Sequence, residues 1–187
     1  EVPLKKLMKN NIRKSKVIMK DSVKGFILNS IITDLNGDSK LDFINARMNA
    51  TISAVDGKNY KTLWEHSFEG YECYVTPSFG QLVGDNKPDV FTIIAKGSFP
   101  MYTSFKLLII DGETGELAWQ EDSGFNQFSP AISIDLNADG TDEIVYIENT
   151  LVDVQTFKIE NQVKVIDLKK NTSYKLGSTR EGLSMAS

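Results

Sequence analysis

The sequence predicts an all-β protein built from repeated, four-stranded antiparallel sheets. Three observations support this fold class. Two sets of short motifs recur along the 187 residues at a period of about 55 residues, and each repeat contains alternating segments of strand length. No convincing 3.6-residue apolar period follows Asp21, so helices are expected to be scarce.

The first motif set is an acidic loop that follows an apolar segment. It reads TDLNGDSKLDFI from Thr33, GQLVGDNKPDVF from Gly80 and IDLNADGTDEIV from Ile134. The second set is a turn headed by aspartate, and it reads ISAVDGKNYKTLWEH, LLIIDGETGELAWQE and VKVIDLKKNTSYKLG, with the aspartates at Asp56, Asp111 and Asp167. Because both sets occur in the same order, each pair of motifs marks one structural unit.

The motifs separate four predicted strands in each unit. The first strand precedes the acidic loop at Phe26–Thr33, Tyr74–Phe79 and Phe128–Ile134, and the second leaves it at LDFINA, PDVFTIIA and DEIVYIE. A third strand (TISAV, KLLII or VKVI) enters the turn, and a fourth (TLWEH or ELAWQ) leaves it. Repeated four-stranded units of this length are typical of β-propeller blades, which bury their faces against one another. Trp64 and Trp119 stand at equivalent places on the fourth strand and are expected to pack between blades.

The acidic loops of the first and third units place oxygen atoms at alternating positions. Positions 1, 3, 5, 7 and 9 hold Asp34, Asn36, Asp38, the Lys40 carbonyl and Asp42 in the first loop, and Asp135, Asn137, Asp139, the Thr141 carbonyl and Glu143 in the third. A tight turn wraps alternate side chains around one centre, and Ca²⁺ accepts 6–8 such hard oxygens. Gly37 and Gly140 allow the backbone to curl. The sequence therefore predicts two Ca²⁺ sites.

Two alternatives to these sites were weighed. Asp, Asn and Gly also form turns without any metal, but two loops with matching spacing and context favour the metal. An EF-hand is excluded because position 12 is Asn45 or Tyr146 and the flanks are strands. In the middle loop, Gln81 and Val83 replace the ligands at positions 1 and 3, so no metal is expected there.

The motifs resemble two families of propeller repeats. DLNGDSKLD and DLNADGTDE, each after an apolar strand, look like the calcium loops of FG-GAP (integrin-α-type) repeats, and VDGKNYKTLWE and IDGETGELAWQ resemble blades of pyrroloquinoline-quinone enzymes. The resemblance covers about residues 23–177 and implies the calcium ligands named above. Glu143 departs from the Asp that is usual in the first family.

The units predict an order of segments along the chain. Residues 1–22 are predicted to form a basic segment or the tail of a preceding blade. Three blades follow: blade one over 23–70 with a calcium loop, blade two over 71–124 with a degenerate loop, and blade three over 125–177 with a calcium loop. Residues 178–187 are predicted to form a tail or the start of a further blade. Because propellers close with about four to eight blades, we expect the chain to be part of a larger propeller. The alternative is that two copies complete one ring.

Charge and composition narrow the function classes. Residues 1–20 hold seven of the 21 basic residues and one acidic residue, which leaves the rest of the chain at a net charge of −10. The acidic part of the chain after residue 20 is expected to repel nucleic acid. The basic segment before it could contact a membrane or act as a linker. The single cysteine, Cys73, is expected to be a buried thiol, and the single histidine, His66, supports neither a zinc site nor a catalytic triad.

The function favoured by the sequence is a non-catalytic, calcium-stabilised module for protein or glycan binding or cell adhesion, located outside the cell or at its surface. Calcium modules of weak affinity are typical of that environment. Two alternatives stay open. The propeller could belong to a quinoprotein-like or polysaccharide-degrading enzyme, which the resemblance alone suggests, or it could be a structural spacer of a large surface protein.

Overall fold

The structure is a computed structural model that describes residues 17, 20, 25–26, 28–123, 130–153, 155–156 and 158–179. Within these ranges the protein is all-β and contains no helix, which confirms the predicted class. The basic segment over 1–22, apart from residues 17 and 20, and the end of the tail over 178–187 lie outside the described residues.

In the part of the chain that the structure describes, thirteen strands form three antiparallel sheets. The first sheet contains β1 (Ile31–Thr33), β2 (Asp42–Ala46), β3 (Thr51–Val55) and β4 (Thr62–Ser67). The second contains β5 (Tyr71–Glu72), β6 (Ser78–Gly80), β7 (Asp89–Ser98), β8 (Met101–Ile110) and β9 (Leu117–Ser123). The third contains β10 (Ile132–Ile134), β11 (Glu143–Asp153), β12 (Lys158–Asp167) and β13 (Thr172–Thr179).

All three sheets share one order of strands. The acidic loop joins the first and second strands of the order β1-β2-β3-β4, and the aspartate-headed turn joins the third and fourth. The third sheet repeats this order as β10-β11-β12-β13. In the second sheet β6 takes the place of β1, but β5 adds a fifth strand at the far end of β7, where Tyr71 pairs with Lys96.

The first strand of each unit is shorter than predicted. The segment predicted over Phe26–Thr33 forms a strand only over Ile31–Thr33, and the segment over Tyr74–Phe79 only over Ser78–Gly80. The start of the segment predicted over Phe128–Ile134 lies outside the described residues. Apolar content misled the prediction here, because these residues reach the hydrophobic core without strand pairing.

The second sheet is covered on both faces, so its strands are apolar on both sides. Val90, Ile94 and Leu108 point to one face and pack with Ile44, Ile52 and Trp64 of the first sheet. Phe91, Leu107 and Ile109 point to the other face and pack with Ile144, Tyr146 and Ile166 of the third sheet. Each of these buried side chains contributes about 1.5–3 kcal/mol of transfer free energy.

Both tryptophans lie beside the hydrophobic clusters, as expected from the sequence. Trp64 is buried in the cluster between the first two sheets, and its Nε1 donates a hydrogen bond of 2.8 Å to the Gly112 carbonyl of the second sheet. Trp119 is partly buried against the cluster between the second and third sheets. Cys73 is fully buried between the first two sheets, as predicted.

Candidate metal centres in the acidic loops

The first acidic loop curls around the side chain of Asp34. One carboxylate oxygen accepts hydrogen bonds from the amides of Gly37 (2.8 Å) and Asp38 (3.1 Å), and the other accepts one from the Ser39 amide (2.8 Å). Asn36 Oδ1 also accepts from the Asp38 amide, at 3.0 Å. Asp34 and Asn36 therefore accept hydrogen bonds from the amides of their own loop. Among the described residues, the acidic side chains of the first and third loops do not gather into a close group, so the two calcium sites stay predictions.

The third loop repeats this arrangement. Asp135 accepts hydrogen bonds from the amides of Asp139 (3.1 Å) and Gly140 (2.9 Å), and Asp139 Oδ1 accepts from the Thr141 amide (3.1 Å). The hydrogen bond from Gly140 is the main reason that the pKa of Asp135 lies below its ordinary value. The loop amides thus hold this half-buried carboxylate in its charged form, which is the form that binds a cation.

All three loops have left-handed backbone at positions 4 and 6. The residues are Gly37 (φ 75°) and Ser39 (φ 64°) in the first loop, Gly84 (φ 83°) and Asn86 (φ 67°) in the second, and Ala138 (φ 59°) and Gly140 (φ 85°) in the third. The shared conformation shows that the middle loop keeps the shape of the others despite its different side chains.

The carboxylates at position 9 are buried and face the sheet. Asp42 is fully buried, and it accepts two hydrogen bonds of 2.9 Å: Oδ2 accepts one from the Leu35 amide, and Oδ1 accepts one from the Gly57 amide. Glu143 accepts the Leu136 amide with Oε2 at 2.7 Å and the Asn137 side-chain amide with Oε1. Each of these acids joins the two ends of its loop, so it has a structural role whether or not it also binds an ion.

Lysine side chains lie beside the first and third loops. Lys58 Nζ lies 3.3 Å from Asp38 Oδ2. Lys169 Nζ donates to the Asp139 carbonyl at 2.8 Å and lies 3.3 Å from Asp139 Oδ1. The loops therefore attract cationic groups, and an ion at position 5 would share these carboxylates with an ammonium group. Lys40, whose carbonyl is the predicted ligand at position 7, has an exposed side chain, whereas Thr141 is buried.

The middle loop uses its replaced position 1 to contact the third sheet. The Gln81 amide donates to Asp142 Oδ2 at 2.9 Å, and the Asp142 amide donates to the Gln81 carbonyl at 2.8 Å. A side chain at Gly80 would approach Asp142 Oδ2 to 2.4 Å, so the close approach of the two loops requires glycine there. This loop connects neighbouring sheets, a role that the sequence pattern did not indicate.

One group of three acidic side chains does gather among the described residues, and it lies at this middle loop. Oxygens of Asp85, Asp89 and Asp111 lie within 4.8 Å of one another. Asp85 and Asp89 come from positions 5 and 9 of the loop, but Asp111 heads the turn between β8 and β9. Sequence reasoning missed the group because it treated the loops and the turns as separate motifs, although both recur at the same period.

Burial is the main reason that the pKa of Asp89 is raised, to about 6. The nearby charge of Asp85 adds to the increase, whereas hydrogen bonds from the amides of Val83 and Leu82 oppose it. A carboxylate in this setting gains most from a partner of opposite charge.

A cleft of about 440 Å³ opens between the second and third sheets beside the middle loop. Its lining includes Val83, Gly84, Trp119, Thr141, Lys169 and Asn171. An aromatic ring beside hydroxyl, amide and ammonium groups can bind a polar ligand that also has an apolar face.

A second polar centre lies at the other end of β7. The buried carboxylate of Glu72 accepts hydrogen bonds through Oε2 from the hydroxyls of Tyr74 and Tyr102, both at 2.9 Å, and from the Phe99 amide at 3.1 Å. Burial is the first cause that raises the pKa of Tyr102, followed by the hydrogen bonds with Tyr74 and Glu72. This centre fixes the turn of the β7–β8 hairpin.

Comparison with known proteins leaves the chain without an assigned family. No protein-family model matches the sequence, and no curated protein is significantly similar to it. Within the part of the chain that the structure describes, no helix has the length and apolarity needed to cross a membrane.

Proposed function

We propose that the three sheets are consecutive blades of a β-propeller, and that the protein is a non-catalytic, calcium-stabilised module that binds a glycan or protein ligand outside the cell. The observation that carries this proposal is a row of side chains that recurs in each sheet and packs against the next sheet in the chain. Its members are Ile31, Ile44, Ala54 and Trp64 in the first sheet, and Ser78, Phe91, Ile109 and Trp119 in the second.

The third sheet has the same row, but no further sheet among the described residues packs against it. Its members are Ile132, Val145, Val165 and Tyr174. Ile132 is 63% exposed and Tyr174 44% exposed. Val145 is half-buried and Val165 is fully buried, so only the two ends of the row are open. Apolar ends that are open to water are typical of a blade that packs against a neighbour.

A leucine at position 2 of each acidic loop is likewise buried where a following sheet is present and exposed where none is described. Leu35 is fully buried and lies against Gly112 of the second sheet, and Leu82 is buried in the cluster shared with the third sheet. Leu136, at the same position of the third loop, is 47% exposed. The first two loops therefore each insert a leucine between their own sheet and the next one, which favours a regular series of blades.

The calcium part of the proposal depends on the donors in the first and third loops. Calcium would be held by Asp34, Asn36, Asp38, the Lys40 carbonyl and Asp42 in one loop, and by Asp135, Asn137, Asp139, the Thr141 carbonyl and Glu143 in the other. These groups fit a hard cation because all of them are oxygen donors. Among the described residues the carboxylates of these two loops do not form a close group, so a bound ion would draw them together. The bound ion would stabilise the folded state by mass action.

The cleft beside Trp119 is the proposed ligand site. Sugars present an apolar ring face and several hydroxyls, which suit an indole ring next to the side chains of Thr141, Lys169 and Asn171. Millimolar calcium outside the cell would keep sites of weak affinity occupied, and this supports an extracellular location.

Calorimetric melting with calcium and with a chelator tests the metal. At a calcium concentration about 100 times the dissociation constant, each site adds about 2.7 kcal/mol to the free energy of unfolding. The double substitution of Asp34→Ala and Asp135→Ala removes most of this gain, whereas Asp122→Ala, at an exposed acid on β9, keeps it. An identical melt of the wild-type protein in both buffers would refute calcium binding in these loops.

Binding to a panel of immobilised oligosaccharides tests the ligand. We expect the wild-type protein to retain at least one glycan and Trp119→Ala to lose it, while Trp119→Ala keeps the calcium-dependent melt. Glycan binding that is unaffected by Trp119→Ala would place the ligand elsewhere. Turnover of the glycan by the wild-type protein would contradict the non-catalytic assignment.

A further inference from the structure

Asp89 contains a buried oxygen atom that lacks a proper hydrogen bond. The residue is fully buried, and its Oδ2 accepts the amides of Leu82 (2.9 Å) and Val83 (2.8 Å). Its Oδ1 has no hydrogen-bond partner. The Gly112 amide interacts with this carboxylate only weakly and without the geometry of a hydrogen bond. At the same place in the first sheet, Asp42 Oδ1 accepts the Gly57 amide at 2.9 Å.

A buried carboxylate oxygen without a partner is costly, and the cost is relieved by a proton or by a cation. The other two members of the acidic group, Asp85 and Asp111, lie close enough to share one ion with Asp89, since their oxygens are within 4.8 Å of one another. We infer that Asp85, Asp89 and Asp111 form a site for a hard divalent cation of the Ca²⁺ class in the middle sheet. The site does not depend on calcium in the first and third loops.

The third sheet shows that this place in the fold accepts a cation. The residues equivalent to Asp85, Asp89 and Asp111 are Asp139, Glu143 and Asp167. Lys170 lies among them, with Nζ at 2.8 Å from Asp167 Oδ2 and 3.9 Å from Asp139 Oδ2. An ammonium group of the protein therefore balances the acidic group of the third sheet.

The middle sheet has no such ammonium group among its described residues. Thr114 stands where the third sheet has Lys170, and the two residues are structurally equivalent because each donates its amide to the aspartate that heads its turn, at 2.8 and 2.9 Å. The nearest basic residue in the loop, Lys87, forms an ion pair with Glu113 instead. The negative charges of the middle sheet therefore remain unbalanced until an ion binds.

The donor set selects the class of ion. It consists of three carboxylates, with neither histidine nor cysteine, so it favours hard cations over zinc or copper. The side chain of Asp85 is exposed, so water can complete the coordination shell. Mg²⁺ is bound less readily, because it usually retains several waters and uses only one or two carboxylates.

The test uses the full chain with Ca²⁺ in titration calorimetry and Tb³⁺ as a luminescent substitute. Trp64 is suited to sensitise Tb³⁺ at this site, because its ring nitrogen donates to the carbonyl of Gly112, next to Asp111. In a background of Asp34→Ala and Asp135→Ala, one site for each ion is expected to remain. Asp111→Asn is expected to weaken it by at least about tenfold, because one of three charges is lost.

Thr114→Lys provides a second variant that keeps every carboxylate. The new ammonium group would take the position of Lys170, so the variant is expected to lose the ion and to melt at a higher temperature than the wild type in chelator. Since Thr114 is exposed, the substitution does not disturb the core. Lys170→Thr is the reciprocal variant. In the background of Asp34→Ala and Asp135→Ala, it is expected to add a site at Asp139, Glu143 and Asp167.

The outcomes separate this inference from calcium binding in the other loops. A remaining site that Asp111→Asn and Thr114→Lys leave unchanged would overturn the inference, as would a background variant that binds neither ion. Conversely, the wild-type protein could bind a single ion that is lost on Asp111→Asn but kept in the background variant. That result would support this site and refute the two loop sites.

Discussion

The middle and third sheets have the same row of side chains, but the neighbouring sheet determines how that row is exposed. Phe91 and Ile109 are fully or almost fully buried because the third sheet covers them. The equivalent residues of the third sheet are Val145, which is half-buried, and Val165, which is buried, whereas Ile132 and Tyr174 at the two ends of the same row are 63% and 44% exposed. An apolar strand pattern therefore favours packing against a neighbouring sheet, but the free energy of burial is gained only where that sheet is present.

The largest expected effect tests this comparison at loop position 2. We expect Leu35→Ala to lower the free energy of unfolding by about 2–5 kcal/mol, because a fully buried leucine leaves a cavity. Leu136→Ala, at the equivalent position of the third loop, should change it by less than about 0.5 kcal/mol. Urea denaturation of the two variants measures both values, and equal losses would contradict the comparison.

A smaller effect is expected at the tryptophan that connects the first two sheets. Trp64→Phe keeps most of the apolar contact but leaves the Gly112 carbonyl without its 2.8 Å hydrogen bond. The expected loss is about 1–3 kcal/mol. Trp119→Phe is the matched control, since Trp119 is only partly buried, and it should cost less in the same urea titration.

The smallest effect tests whether the covered face of the middle sheet excludes water. Burial is the main cause that raises the pKa of the Cys73 thiol above its ordinary value of 9.0, although hydrogen bonds with Thr92 and Val75 oppose it. The unfolded chain therefore releases the thiol proton first as the pH rises, so stability is lost above pH 9.0. The loss attributable to this thiol grows as the pH rises further above 9.0.

Cys73→Ala provides the control for this pH dependence. The difference in unfolding free energy between the wild type and Cys73→Ala should shrink as the pH rises from 8 to 10. A difference that stays constant over this range would mean that the thiol ionises in the folded protein as readily as in the unfolded chain.

Much of the fold could be predicted because its determinants are local. Three features define the strands β3 and β8 and their hairpins: the short apolar segments TISAV and KLLII, the turn residues after them and the recurrence of both motif sets. The equivalence of Trp64 and Trp119 could be predicted because both follow the recurring aspartate-headed turn. By contrast, β5 could not be predicted, because Tyr71 and Glu72 pair only with the far end of β7, beyond the part of β7 that pairs with β6.

The acidic group of the middle sheet could not be predicted from spacing. Asp85 and Asp111 are brought together by the hairpin β7–β8, and the strands of this hairpin are 10 residues each, whereas β2 and β3 are 5 each. The distance in sequence between loop and turn therefore differs from unit to unit, although their distance in space is conserved. Only the register between β7 and β8 reveals the contact.

The double coverage of the middle sheet also has a consequence for biosynthesis. Ribosomes deliver the chain from its amino terminus, so Phe91 and Ile109 are made before β11 and β12, which cover them. Until Ile144 and Ile166 have left the exit tunnel, half of the middle sheet remains open to aberrant contacts with other nascent chains. Slow translation of the third sheet would lengthen that interval, and chaperones that bind apolar β-strands would find their target there.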